Sequence, residues 1–214
     1  MAISFDAAST GDATDTTLTF AHTCTGTRRL LVVGVGIEDA DDEISGVTYN
    51  GVAMTLVDKI VNGVPNEWTY MFYLLNPSSG TNNVVVTASS STTIRGLGVS
   101  YTGVLQSGQP DSKNEATAQG ASHALSTTTV LDNSWVVGMA QGDDATPGAG
   151  TGVTSRATVG GSRIGDSNGP KTPAGSYSMT FTGGASTRIN IEMASFSPSL
   201  ESDVVGEVQG YFDV

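Results

Sequence analysis

Two stretches of this chain read as copies of one strand, and a chain that repeats a strand has to give both copies comparable surroundings. Residues 28–42 and 133–144 each run from a polar turn, through an apolar strand with a central glycine, into an acidic loop. Leu31-Val32-Val33-Gly34-Val35 matches Trp135-Val136-Val137-Gly138-Met139 position for position, at an offset of 104 residues. Val84-Val85-Val86-Thr87 matches Met179-Thr180-Phe181-Thr182, and Ser100-Tyr101 matches Ser195-Phe196, both at an offset of 95. Repeated strands at similar intervals point to a β-protein built from two similar halves.

Apolar alternation and turn punctuation place the strands. In the first half they fall at residues 2–5, 16–21, 30–37, 47–49, 53–60, 68–75, 84–88 and 94–102. In the second they fall at 123–130, 134–141, 153–159, 176–182 and 188–196. The Ser/Thr/Gly/Asp-rich residues 7–15 read as a loop, residues 105–120 as a polar connection between the halves, and 142–152 and 160–175 as loose loops. Residues 30–37 are apolar on both faces and carry Gly34 and Gly36. Such a strand is either covered on both sides or narrowed by glycine for close approach. Asn50-Gly51 supplies the positive φ angles of a tight hairpin turn. Glycine interrupts every window long enough for a helix of three turns.

An apolar sheet face needs a partner sheet. The expected fold is therefore all-β, a two-sheet antiparallel sandwich, jelly-roll-like, built from two similar interleaved halves. One domain spans residues 1–198, with halves at about 1–104 and 121–198. Residues 199–214 form a C-terminal arm or extra strand. In that segment Val204, Val208, Phe212 and Val214 share one parity, and Tyr211 lies on the other. Together these five are the candidate interface residues, either completing the chain's own sheet or adding a strand to a neighbouring copy.

A formal net charge of −12 with only nine Lys and Arg argues against nucleic acid, because phosphate binding needs clustered basic side chains. Like-charge repulsion also opposes docking on an anionic membrane. Cys24 is the only cysteine, so an intrachain disulfide is impossible. The first ten residues have neither a basic nor an apolar leader region, and the longest apolar or glycine run, residues 30–37, is too short to span a bilayer. The expectation is a protein that is not exported through a leader and is not anchored in a membrane.

Chemistry-bearing motifs are few. Gly34-Val35-Gly36 begins a nucleotide-binding pattern, but Asp39 stands where the third glycine belongs and no helix follows to receive phosphate. Asp39, Asp41, Asp42 and Glu43 crowd one loop, and Asp143-Asp144 sits at the matching place in the second half. Ile44 occupies the position where a calcium-binding EF-hand loop needs glycine, so a solvated acidic turn is the better reading. His22, His123 and Cys24 lack zinc-ligand spacing. His22 and Cys24 share one side of a strand, without the elbow of an organised nucleophile. Glu38, Glu67 and Glu192 are strand-adjacent acids, and nothing in their spacing selects two for glycoside hydrolysis. Trp68, Tyr70 and Phe72 alternate on one strand face and read as core, with Tyr73 on the opposite face. The same aromatics, exposed, would make a sugar-binding platform. No catalytic residue, cofactor or metal ligand is assigned.

Three phrases carry a resemblance: Gly46-Val47-Thr48-Tyr49-Asn50-Gly51-Val52-Ala53-Met54-Thr55; Leu74-Leu75-Asn76-Pro77 followed by Asn83-Val84-Val85-Val86-Thr87; and Val99-Ser100-Tyr101-Thr102-Gly103-Val104. Over residues 3–198 the chain resembles uncharacterised β-sandwich modules of bacterial surface proteins and bacteriophage structural proteins. The resemblance implies a non-enzymatic virion component. Its expected form is a capsid decoration (cement) protein on the outer surface of the capsid, contacting the major capsid protein and its own copies, as a homotrimer. The alternative is a carbohydrate-binding or adhesion module of a tail fibre or bacterial surface, with a glycan as partner.

Overall fold

The structure is a computed structural model, and it describes residues 1–62 and 67–200. Every regular element in them is a β-strand. The first half contributes β1 (Ser4–Cys24), β2 (Leu30–Glu38), β3 (Ile44–Tyr49), β4 (Val52–Ala53), β5 (Thr55–Val61), β6 (Glu67–Leu75) and β7 (Gly80–Thr102). The second contributes β8 (Ser112–Gln119), β9 (Ser122–Thr128), β10 (Trp135–Gly142), β11 (Gly148–Ala149), β12 (Thr154–Val159), β13 (Ser162–Asp166), β14 (Ser176–Thr182) and β15 (Arg188–Phe196). All strand pairings are antiparallel.

The first half makes one seven-stranded sheet in the order β4-β3-β7-β2-β6-β5, with β1 running along β7. β1 and β7 are long enough to fold over. Between Asp15 and Thr17 the partner on β7 jumps from Thr92 to Thr87, a bulge that bends both strands. The two arms of the bent ribbon then face each other closely, since a Cβ on Gly11 or Gly96 would collide with the Phe20 ring. Between the arms lies a core of Leu18, Phe20, Leu31, Val33, Val35, Tyr49, Tyr70, Phe72, Val84 and Val86.

The second half repeats this plan with the long strands cut in two. Its sheets run β12-β13-β10-β15-β8 and β11-β14-β9. The first of these orders reproduces β5-β6-β2-β7-β1, and the second reproduces β3-β7-β1. Leu125, Val136, Ala140, Met179, Phe181, Ile189, Ile191 and Met193 fill the space between them. A third cluster joins the halves, with Leu30, Val32, Met71, Leu97, Val99 and Tyr101 on one side and Trp135, Val137, Met139, Ile164 and Phe196 on the other.

The duplication therefore holds, but its register shifts by one residue. Leu31 pairs with Ser100, and Val136 pairs with Ser195, so Leu31 corresponds to Val136 rather than to Trp135. The offset for this strand is one more than the letters suggest. A one-residue slip exchanges the faces of a strand. Leu31 and Val136 both face the core of their own half, while Leu30 and Trp135 both face the other half.

Three further expectations are corrected. The halves are not interleaved: each keeps its own hydrogen-bonded sheets around its own core, and their outer apolar faces meet in the third cluster between them. Residues 7–15 and much of 105–120 are not loops but the polar strands β1 and β8, and each lines the edge of a sheet, where one side of the strand meets water. The segment 160–175 contains β13, whose Ser162, Ile164 and Asp166 are buried with one large apolar side chain among them. Alternation missed it because its buried neighbours are polar. The Asn50-Gly51 turn is as expected, with φ of 49° and 75°.

Candidate functional site

The packing of β2 against β10 organises the seam between the halves. Gly34 corresponds to Met139, and Gly36 to Gln141, when the two strands are matched through their β7 and β15 partners. These equivalent residues also touch each other: Met139 Sδ fills the space a Cβ on Gly34 would need, and Gln141 Oε1 fills that of Gly36. Equivalent positions meet across a pseudo-two-fold axis, and the small residue on one copy admits the large residue on the other.

Toward Leu30 and Trp135 the seam is apolar, apart from one buried ion pair. Arg156 holds Asp166 with Nε and Nη2 donating at 2.7 and 2.9 Å, and the Tyr101 hydroxyl donates to the same carboxylate at 2.8 Å. Asp166 is fully buried. Toward Gly36 and Gln141 the seam is polar. Asn190 Nδ2 donates to the Glu67 carbonyl at 2.9 Å and Gln141 Nε2 to the Ile37 carbonyl at 3.2 Å, while on the flank of the seam Lys113 Nζ, in register with Ala194, donates to the Val57 carbonyl at 2.7 Å.

The three strand-adjacent acids lie on different strands along the seam: Glu38 and Glu67 face each other at its polar end, and Glu192 lies farther in, opposite Met139. Glu38 pairs across the strands with Glu67 and forms an ion pair with Arg95. Glu67 is buried, and burial together with the charge of Glu38 raises its pKa to about 7, with Arg95 opposing and Asp143 adding to the rise. Glu192 is buried directly opposite Glu115 on β8, and neither of its carboxyl oxygens has a hydrogen-bond partner. Burial first, then the charges of Asp58 and Glu115, push it well above the ordinary carboxylate range. The shallow space of about 430 Å³ beside Glu38, Asp39, Glu67 and Asp143 thus draws acids from both halves.

Other candidates resolve into packing. His22 accepts or donates through Nδ1 to Ser9 Oγ at 2.7 Å, and burial drives its pKa down to about 4, against the pull of Asp6. Burial also raises the Cys24 thiol. The pair is a neutral imidazole and a protonated thiol, without the charge that thiolate chemistry requires. Asp39, Asp41 and Glu43 bring carboxylate oxygens within 4.8 Å of one another on an exposed loop. Tyr70 and Phe72 are buried and Trp68 is half-buried, with ring centroids 6.1 and 6.5 Å apart in succession, all packed on the first-half core. The aromatic stripe is core rather than platform.

An apolar cleft that motif reading missed lies at the Trp135 end, between the first and the last of the described residues. Met1, Ile3, Val130, Leu131, Trp135 and Leu200 line a space of about 810 Å³. Among the described residues Met1, Val130 and Leu200 are three of the five large apolar side chains left exposed, so the exposed apolar surface concentrates here. The Met1 ammonium donates to the Ser199 carbonyl at 2.7 Å and ties the start of the chain to the segment after β15. The available signal was Val130-Leu131, an apolar pair placed in a turn that Asp132-Asn133 closes with Asn133 at φ 66°. The five expected interface residues, Val204, Val208, Tyr211, Phe212 and Val214, lie outside the described residues. No family profile, curated protein or solved structure matches the chain.

Proposed function

We propose that this chain is a structural protein of a bacteriophage virion, a capsid decoration (cement) protein that sits on the outer surface of the head. Architecturally, each half is read as a small two-layer β-sandwich, and the molecule as two sandwiches stacked back to back. Such a stack is a stiff spacer, because its seam is filled from both sides. In this role many copies bridge adjacent coat subunits, grouped as trimers, and oppose the outward pressure of packaged DNA. The strongly acidic surface keeps such a protein soluble before assembly.

The observation that carries the reading is the end cleft. Exposed apolar side chains that cluster on one concavity mark contact surfaces more often than chance exposure does. Here the cleft would receive an apolar segment of the major capsid protein, and residues 201–214 continue from its rim at Leu200.

Immunogold labelling of purified virions with an antibody to this chain tests the assignment. Gold spread over the head supports it, and gold confined to the tail, or absent from virions, overturns it. Co-sedimentation with empty coat shells tests the cleft. Val130→Asp should abolish binding while the circular dichroism spectrum stays unchanged, and full binding by a folded V130D protein would remove the cleft from the mechanism.

A further inference from the structure

Glu192 is an acid in a place that tolerates no charge. Its side chain lies on β15 opposite Met139, at the inner edge of the seam's polar stretch, 1% exposed, with both carboxyl oxygens unpartnered. The groups that act on it are Asp58 from β5 and Glu115 and Lys113 from β8, while the Ile60 amide faces it without completing a hydrogen bond. Lys113 is the one cation among them, and its ammonium is already engaged by Asp58 at 2.9 Å and by the Val57 carbonyl. Glu67 stands at the same end on β6, with Glu38, Arg95, Asp143 and Gln141 around it.

The contacts that hold this part of the seam shut are mostly polar. Lys113 reaches β5, Thr117 Oγ1 donates to the Val61 carbonyl at 3.4 Å, and Asn190 reaches the Glu67 carbonyl. The opposite end is closed by Leu30, Val32, Tyr101, Trp135, Val137 and Phe196. One end of the seam is therefore apolar, and the remainder is polar and holds two buried carboxyl groups, Glu67 and Glu192.

We propose that the polar end of the seam is a proton-gated joint, in which uncharged Glu67 and Glu192 let β5 and β6 close on β15 and β8, and their ionisation parts these strands while the apolar end stays packed. The physical basis is that burying an unpartnered carboxylate is costly, whereas its protonated form is tolerated. Ionising Glu192 also sets a second negative charge directly opposite Glu115 and beside Asp58, and like charges facing each other across strands repel. The sign follows from acids whose pKa is raised in the folded protein. Closure is complete below the ordinary glutamate range, near pH 4, and weakens as pH climbs through the folded values, about 7 for Glu67 and well above the ordinary carboxylate range for Glu192. The joint does not depend on what occupies the end cleft.

Hydrogen–deuterium exchange of the full chain from pH 5.5 to 9, corrected for intrinsic base catalysis, tests the proposal. Peptides from β5 and β8 should lose at least tenfold protection over this range, while peptides from β2 and β14, inside the two cores, keep theirs. In Glu192→Gln, and further in the E67Q/E192Q double variant, seam protection should no longer vary with pH. Constant seam protection in the wild type overturns the joint. So does parallel loss in β2 and β14, which would be unfolding of the whole molecule, and so does an unchanged pH response in a folded glutamine variant. If neither variant folds, the location of the wild-type loss decides by itself.

Discussion

Met139 occupies the volume that a side chain on Gly34 would need, and these two residues hold the same position in the two halves of the molecule. The duplicated strand has thus diverged where its copies meet, one toward no side chain and the other toward a long flexible one. The seam closes because the copies differ at this point.

Gly34→Ala should therefore destabilise the protein by about 1–3 kcal/mol, since the added methyl overpacks a filled seam. Met139→Ala alone opens a cavity and should cost about 2–5 kcal/mol. The double variant should cost less than the two single effects added together, because the truncated residue makes room for the new methyl. Urea midpoints of the four proteins measure the coupling, and strict additivity would show that the two residues do not share this space.

The buried ion pair makes a second prediction. Arg156 satisfies Asp166, and its guanidinium also lies 4.1 Å from the Phe5 ring centre. Arg156→Ala leaves a fully buried carboxylate with only the Tyr101 hydroxyl and the Asn168 amide as donors. Removing one member of a buried pair costs about 3–5 kcal/mol. Chemical denaturation would report it, and a loss under about 1 kcal/mol would mean that water reaches Asp166.

His22 sets the acid limit of stability. Its folded pKa, about 4, lies below the unfolded value of 6.5, so the neutral ring favours the fold. That contribution is complete above pH 6.5 and is lost as pH falls toward 4, by up to about tenfold in the folding equilibrium per pH unit. Thermal midpoints should decline over this window, and the decline should flatten in His22→Gln. An equal slope in the variant would assign the acid sensitivity to other groups.

Substitutions at the cleft should separate stability from assembly. Val130 is 60% exposed, so Val130→Asp should change stability by less than about 0.5 kcal/mol. A large loss on calorimetry would show that the Val130 side chain supports the fold from within.

Much of the fold was legible in strands that bury large apolar side chains. β2, β6, β10, β14 and β15 were read near their observed positions, and the single strand β7 as two pieces, because apolar runs and alternation mark strands with one or both faces buried. The edge strand β8 and the first arm of β1 escaped, since small polar side chains at a sheet edge carry no such period. β13 escaped because it is buried among polar partners. The three acids Glu38, Glu67 and Glu192 were visible as candidates, but their placement along one seam was not, as they come from three separate strands. The end cleft was hidden for the same reason, being assembled from the first residues of the chain, the segment after β15 and the turn after β9.

The letters of the chain were enough to establish an all-β protein, an internal duplication and the position of its Asn50-Gly51 hairpin, because these rest on local alternation and turn geometry. Tertiary contact settled the rest. It chose the register in which Leu31 answers to Val136, kept each half closed on itself, and turned Gly34 toward Met139. A strand's two faces look alike in sequence when both are apolar, and only the shape of what packs against each face distinguishes inside from between.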